Sequence, residues 1–436
     1  MWSRIVGASA LITGSTVGAG MLALPAATAP LGPLPSTLVL FTVWGVLLAE
    51  AMLIAEVNIA VTQQPTTPTS SAPRVTTMRQ MAEATLGPTV SNAVTATYLL
   101  LAYGLLVAYI GKAGDALHHL TLELLPSDAG MTLAVTSVVL LLAIGGPNAA
   151  DTVNRTLTAV LLALFAAILV FAGPLLTPGA LLNLPTDWSA APCALPIIFL
   201  TLVYHDLIPV LCMLLGHDRR AVRTSLVAGS ILPLGMFASW NTLVLGLGSA
   251  GGDPLDAMVA AAGGGVGMAV QAFTLLAVLT SFIGITLGIT ETAKTELLDV
   301  PLLENSGNHV SSTMAVYAAS LAPAVAVASM HPASFVDILQ ACGAYGMVLL
   351  YGILPPLMVL NLASPYRPPQ LAPLLAVLVS FSVLVGGTHV VQDAKRLPNR
   401  LSLNQLEALM APSQGEGVPN MVLVRGTTER RPGGVA

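Results

Sequence analysis

What this sequence lacks most is charge: only 8% of its 436 residues are Asp, Glu, Lys or Arg, against about a quarter in a soluble domain. So few charges cannot clothe a water-facing surface, and they exclude the basic face that nucleic acid requires. Cysteine is nearly absent too. Cys193, Cys212 and Cys342 all fall in apolar stretches, which excludes a disulfide framework. The chain has no P-loop lysine motif and no G-x-S-x-G elbow, so neither ATP-driven pumping nor that hydrolase chemistry is expected, and no cofactor is called for. The pair His118–His119, with Asp115 and Glu123 nearby, has the residue types of a metal site without a scaffold to fix their spacing. It reads as a solvated outer loop, and no metal is expected.

What the sequence does have is hydrophobic length. Hydrophobic residues make up 55% and mean hydropathy is +0.82, the signature of an all-α, multi-pass membrane protein embedded in a lipid bilayer. Eleven apolar runs are expected to span it, at 5–29, 35–59, 90–112, 130–146, 156–176, 192–215, 224–248, 264–290, 312–330, 334–361 and 370–391. The polar stretch 62–88, rich in Pro, Ser and Thr, reads as a cytoplasmic loop, and residues 392–436 as a disordered tail. Positive charge sets the orientation. With the N-terminus on the cytoplasmic side, the inner loops hold Arg4, Arg74, Arg79, Arg155, Arg219, Arg220, Arg223, Lys294 and Arg367, and the outer loops only Lys112. Lys395, Arg396 and Arg400 break the pattern, because eleven spans put the tail outside; either the tail is a tolerated exception or the number of spans differs by one. The first span starts almost at once, which leaves no room for a transit peptide.

Two spans carry residues that disrupt a helix. GSTVGAGMLALP (14–25) brings three glycines and a proline into the first. Gly18 lies 14 residues after Arg4, about 21 Å along a helix and so near the bilayer midplane. FLTLVYHDLIPVL (199–211) disturbs the sixth span at matching depth with His205, Asp206 and Pro209. Spans 1 and 6 open two successive sets of five, about 5–176 and 192–361, with 370–391 as an extra helix. An odd number of spans makes the two sets opposite in topology, and transporters built of inverted repeats bind substrate where one helix of each repeat is interrupted. The glycines then free backbone N–H groups for a carboxylate. The same glycines also suit close helix packing, and the two uses are compatible.

Ionisable groups inside a membrane must face protein or water. Asp206 and His205 are candidates to carry a proton, with Asp206 as a helix cap and His205 as a core histidine in the alternative. Glu50, mid-span, is a third proton candidate or else a hydrogen-bonded structural acid. Glu56, near the inner edge, is a cytoplasmic gate or a solvated end.

GSTVGAGMLALP, LLAEAMLIAEVN (47–58), the run from Phe199 to Trp240, LLAVLTSFIGITLGI (275–289) and GAYGMVLLYGILPPLMVL (343–360) together resemble the tryptophan/tyrosine permease family. That is the hydroxy and aromatic amino acid permease group of the amino acid–polyamine–organocation superfamily. The likeness runs in order to about residue 391 and is nearest the cyanobacterial, algal and plant branch. It implies a LeuT-type five-plus-five inverted repeat moving aromatic amino acids in symport with protons, not an enzyme. It places the substrate carboxylate at Gly14, Ser15, Thr16, Gly18, Ala19 and Gly20, and the amino group around Tyr204 to Pro209, including His205. Trp240 matches an aromatic position of span 7, and Asp206 departs from the small or neutral residue of bacterial relatives. An apolar slot for an aromatic side chain has Tyr204 and Phe282 as its foremost candidates, ahead of Tyr98, Tyr103, Phe199 and Tyr345. Other neutral amino acids, indole-type compounds and a non-transporting sensor are the alternatives. A plasma membrane or an organellar membrane, such as that of a plastid, is the expected home.

Overall fold

Glycine, proline and a few capping side chains set the ends of the helices. Pro33 opens the 30-residue helix α3 (Pro33–Thr62) directly after Gly32, whose φ of 83° only glycine adopts readily. Thr77 and Gln80 form a reciprocal capping box at the start of α4 (Met78–Leu86). Gly87, at φ 90°, ends α4, and Pro88 begins α5 (Pro88–Leu120). The computed structural model describes residues 2–63, 76–176, 186–248, 254–292, 309–330, 335–362 and 372–410. All regular structure among them is helical.

The other helices are α1 (Trp2–Thr16), α2 (Gly20–Thr28), α6 (Ser127–Leu140), α7 (Gly146–Ala172), α8 (Ala191–Thr201), α9 (Ile208–Leu214), α10 (Arg219–Leu247), α11 (Pro254–Ala262), α12 (Gly264–Thr292), α13 (His309–Met330), α14 (Phe335–Ala341), α15 (Leu354–Leu360) and α16 (Ala372–Met410). Among the described residues eight helices or joined helices are long and apolar enough to cross a membrane, or nine if α1 and α2, bent by 58°, form one span. A shorter apolar helix covers Met314–Met330. Two predicted spans, 130–146 and 156–176, fall within one 49-residue stretch, Ser127–Leu175. At about 74 Å it is far longer than a single crossing needs. A π-helical turn, Leu141–Gly145, and Gly146 at φ 70° divide it.

Two expectations need correction. The polar stretch 62–88 is not all loop, because the capping box nucleates α4 there; residues 64–75 lie outside the described residues. The tail is helical as far as Met410, since LSLNQLEALM is rich in good helix formers; residues 411–436 lie outside the description. The chain divides into two units, Met1–His389 and Val390–Ala436. Everything that follows concerns the first.

In that unit α12 packs on α5 and α7, and α10 on α1 and α3. Trp240 of α10, Phe273 of α12 and Phe165 of α7 join these layers, with ring centroids 5.0, 6.2 and 6.3 Å apart. Trp240 is thus a packing residue of the buried core.

Candidate functional site

The first interruption is three residues long. Gly14, Ser15 and Thr16 remain in α1, where the Thr16 hydroxyl donates to the Ile12 carbonyl at 2.7 Å. Helical geometry fails over Val17, Gly18 and Ala19 and resumes at Gly20. Pro25 sits inside α2 rather than ending it. Among the described residues the Gly18 N–H has no acceptor. The Ala19 N–H donates to Ser281 Oγ of α12 at 3.1 Å, and Ser281 in turn donates to the Ala277 carbonyl at 3.0 Å. A Cβ on Gly18 would lie 2.5 Å from that Ser281 oxygen, so only glycine permits the approach.

The second interruption meets the first. Beyond Thr201 the chain leaves the helix at 202–204, makes a 3-10 turn at His205–Leu207 and re-enters α9, with Pro209 second in that helix, where a missing N–H costs nothing. The Thr201 hydroxyl, 2.7 Å from the Ile197 carbonyl, also lies 3.1 Å from the Gly20 carbonyl. A Cβ on Gly20 would stand 3.3 Å from Thr201 Cα and from a Leu200 methyl. The two broken helices therefore touch directly beside their breaks, at Gly20 and Thr201.

Just past the second break is an aromatic and ionisable cluster. The fully buried His205 sets Nε2 3.0 Å from the Leu47 carbonyl of α3. A carbonyl only accepts, so Nε2 carries the hydrogen, and Nδ1 is an acceptor with no partner among the described residues. The ring packs between Tyr204 and Tyr351, at 5.1 and 5.3 Å between centroids. Tyr351, itself buried, donates its hydroxyl hydrogen to Asp206. Asp206 keeps exposed surface, although His205 beside it and Tyr351, which bonds it, are buried. Glu50, one turn past Leu47 on α3, is fully buried, and neither carboxyl oxygen has a partner among the described residues. An unpaired carboxylate in such a place is costly and calls for a proton, a cation or water.

Residues 1–385 match the sequence profile of the tryptophan/tyrosine permease family. The chain belongs to that family. This permease is 27% identical over 370 residues to tyrosine-specific transport system 1 of Haemophilus influenzae, covering 81% of this chain and 87% of that one. It is 25% identical over 428 residues to the tryptophan-specific transport protein of Shigella flexneri, covering 90% and 96%. The family and these relatives are transport proteins, not enzymes. The fold is shared with the solved manganese transporter of Eremococcus coleocola, at a TM-score of 0.59 over 93% of this chain and 91% of that one, with 14% identity.

Among the permease's described residues no three His, Cys, Asp or Glu side chains cluster as a metal site requires. His118 and His119 occupy the last turn of α5 rather than a loop. Glu56, at the far end of α3, pairs with Arg223 at 2.8 Å and Arg219 at 3.1 Å, both in the first turns of α10. Phe282 is fully buried on α12, while its neighbour Ser281 is the residue that reaches the first break. Ser281, Thr201 and Tyr351 are the site residues that sequence reasoning passed over. A groove of about 440 Å³, lined by Val135, Val139, Met314, Leu321 and their neighbours, is apolar and holds no residue of either interruption.

Proposed function

We propose that this permease moves aromatic amino acids, namely tryptophan, tyrosine or phenylalanine, by alternating access in symport with protons. The observation that carries the reading is the contact of the two interrupted helices at Gly20 and Thr201, each directly beside its break, with the free Gly18 amide and the Ser281-bound Ala19 amide in the first break. A zwitterion needs N–H donors for its carboxylate and acceptors for its ammonium, and two helix breaks in contact supply both. Tyr204 and His205 border the place where the side chain enters, with Phe282 behind Ser281. The names of the aligned relatives support the aromatic cargo.

In this reading the chain has eleven spans, with the 49-residue stretch counted as two and Met314–Met330 as one, arranged as a LeuT-type five-plus-five repeat. The N-terminus and the arginine-bearing loops face the cytoplasm. Glu50, Asp206 and His205 are the groups placed to carry the proton; His205 would take it at Nδ1, since its Nε2–H already serves the Leu47 carbonyl. One charge moved through 100 mV supplies about 2.3 kcal/mol, enough for roughly fifty-fold accumulation.

Uptake of labelled tryptophan, tyrosine, phenylalanine and leucine into proteoliposomes, in sodium-free buffer with and without an inward proton gradient, tests the whole reading. Gradient-driven accumulation of the aromatics over leucine supports it. Binding without flux would move the assignment to a sensor, and a preference for leucine to another neutral cargo. Glu50→Gln, which keeps the shape of the side chain and removes its charge, is expected to cut gradient-driven accumulation at least tenfold while substrate exchange without a gradient persists; intact accumulation clears Glu50 of the role.

A further inference from the structure

Asp206 is held by a residue that nothing above has given a task. Tyr351 belongs to a 12-residue π-helical segment, Cys342–Ile353, between α14 and α15. Such departures from α-helical winding persist chiefly where a function needs them. Glycines seat this segment directly on the half of span 6 that precedes the break. A Cβ on Gly343 would run into the Pro196 carbonyl, and one on Gly352 would stand 3.3 Å from the Phe199 ring. On the other side, a Cβ on Gly346 would press on Leu101 of α5 at 2.9 Å. The backbone that carries Tyr351 is therefore packed closely on α8 and α5, and at Gly352 also on Ser382 of α16.

Asp206 lies on the other side of the break, in the 3-10 turn that leads into α9. The Tyr351 hydroxyl reaches across and donates to one of its carboxylate oxygens, the stronger kind of hydrogen bond because the acceptor is ionic. The titratable groups that face Asp206 are Tyr351 from the π segment, Tyr98 from α5, and its own neighbours Tyr204 and His205. No lysine or arginine pairs with it among the described residues. The phenol is thus the donor that holds this carboxylate, whose side chain otherwise keeps exposed surface.

We propose that Tyr351 is a positioning residue for proton coupling: it fixes the Asp206 carboxylate across the break in span 6, so that the tie between the two halves of the span is strong while Asp206 is ionised and weakens when Asp206 gains a proton. The proposal rests on the proton-symport reading and names the residue that couples the proton to movement of the broken helix. The interruption at 202–204 then acts as a hinge. Its second half is tied to the first through the π segment by the Tyr351 bond, beside the packing of His205 on the Tyr351 ring.

The test uses Tyr351→Phe, Asp206→Asn and the double variant in proteoliposomes, each first shown by gel filtration to be folded. Two readouts are taken. One is the pH profile of carbodiimide modification of Asp206, followed by peptide mass spectrometry, which needs no substrate. The other compares gradient-driven tryptophan uptake with exchange at equal pH. Loss of one hydrogen bond to an ionic group is expected to move the modification midpoint by about one pH unit in Tyr351→Phe. Accumulation should fall at least fivefold while exchange is kept, and the double variant should be no worse than Asp206→Asn alone. An unmoved modification profile overturns the proposal, whatever the cargo proves to be. So do independent, multiplying losses in the double variant. A wild-type protein that exchanges tryptophan without responding to a proton gradient sinks the symport reading and this proposal together, whereas one that exchanges no aromatic acid leaves the modification profile to decide.

Discussion

Gly18 shows how one missing methyl group can shape the proposed binding site. Its hydrogen is all that separates the α1–α2 break from Ser281 Oγ, and that oxygen satisfies the Ala19 amide. Gly18→Ala forces the hydroxyl to turn away, and we expect substrate affinity to fall about five- to tenfold, the worth of roughly one ordinary hydrogen bond. In a Ser281→Ala background the added Cβ meets only the Ser281 Cβ position, 3.9 Å away, so the second substitution should be nearly silent there. Equilibrium binding of labelled tryptophan to the four proteins measures this, and equal losses in both backgrounds would refute it. At this scale the sequence announced the glycine but not its partner. A serine in an apolar helix normally bonds the carbonyl one turn back, as Ser281 does with Ala277. The spare lone pair that receives Ala19 leaves no trace in the sequence, where the adjacent Phe282 is the more conspicuous residue.

Helix interruptions were legible because glycine and proline are rare in the middle of a stable helix, but their exact extent was not. Pro25 and Pro209 both lie within or at the start of the helix that follows a break, so the small residues before them decide where the chain opens. The π segment that carries Tyr351 was invisible, since GAYGMVLLYG reads equally well as an α-helix. The half-helix α2 also needs an anchor that no periodicity reveals. Thr28 of α2 lies 2.7 Å from Asn241 Oδ1 of α10, and Asn241 Nδ2 donates to Ser36 of α3 at 2.9 Å, all three buried. Asn241→Leu removes both links, although Thr28 and Ser36 keep contacts with their own Leu24 and Pro33 carbonyls at 2.8 and 2.9 Å. The expected loss is about 1–3 kcal/mol, read as a lower thermal midpoint in detergent; an unchanged midpoint would mean that packing alone holds α2.

For the molecule as a whole, the proposed alternating access would require contacts that are worth enough to hold one state and little enough to be released. Buried layers such as the Trp240, Phe273 and Phe165 cluster are too costly to open in each cycle. The pairing of Glu56 with Arg219 and Arg223 is of the right size, because α3 and α10 meet there through half-exposed charges, each pair worth about 0.2–1 kcal/mol. Its place was legible as a glutamate near a span end, whereas its partners, more than 160 residues away in the chain, emerge only from the fold. Glu56→Gln should therefore leave the melting temperature nearly unchanged yet alter the rate of tryptophan exchange in proteoliposomes two- to fivefold, since about 1 kcal/mol is a factor of five. Screening by molar salt should produce the same change in the wild-type protein and none in the variant, because an exposed pair is weakened by ions and a missing one is not. If salt acts equally on both, the ion pair is a surface ornament, and the gate must be sought where α1 packs against α10.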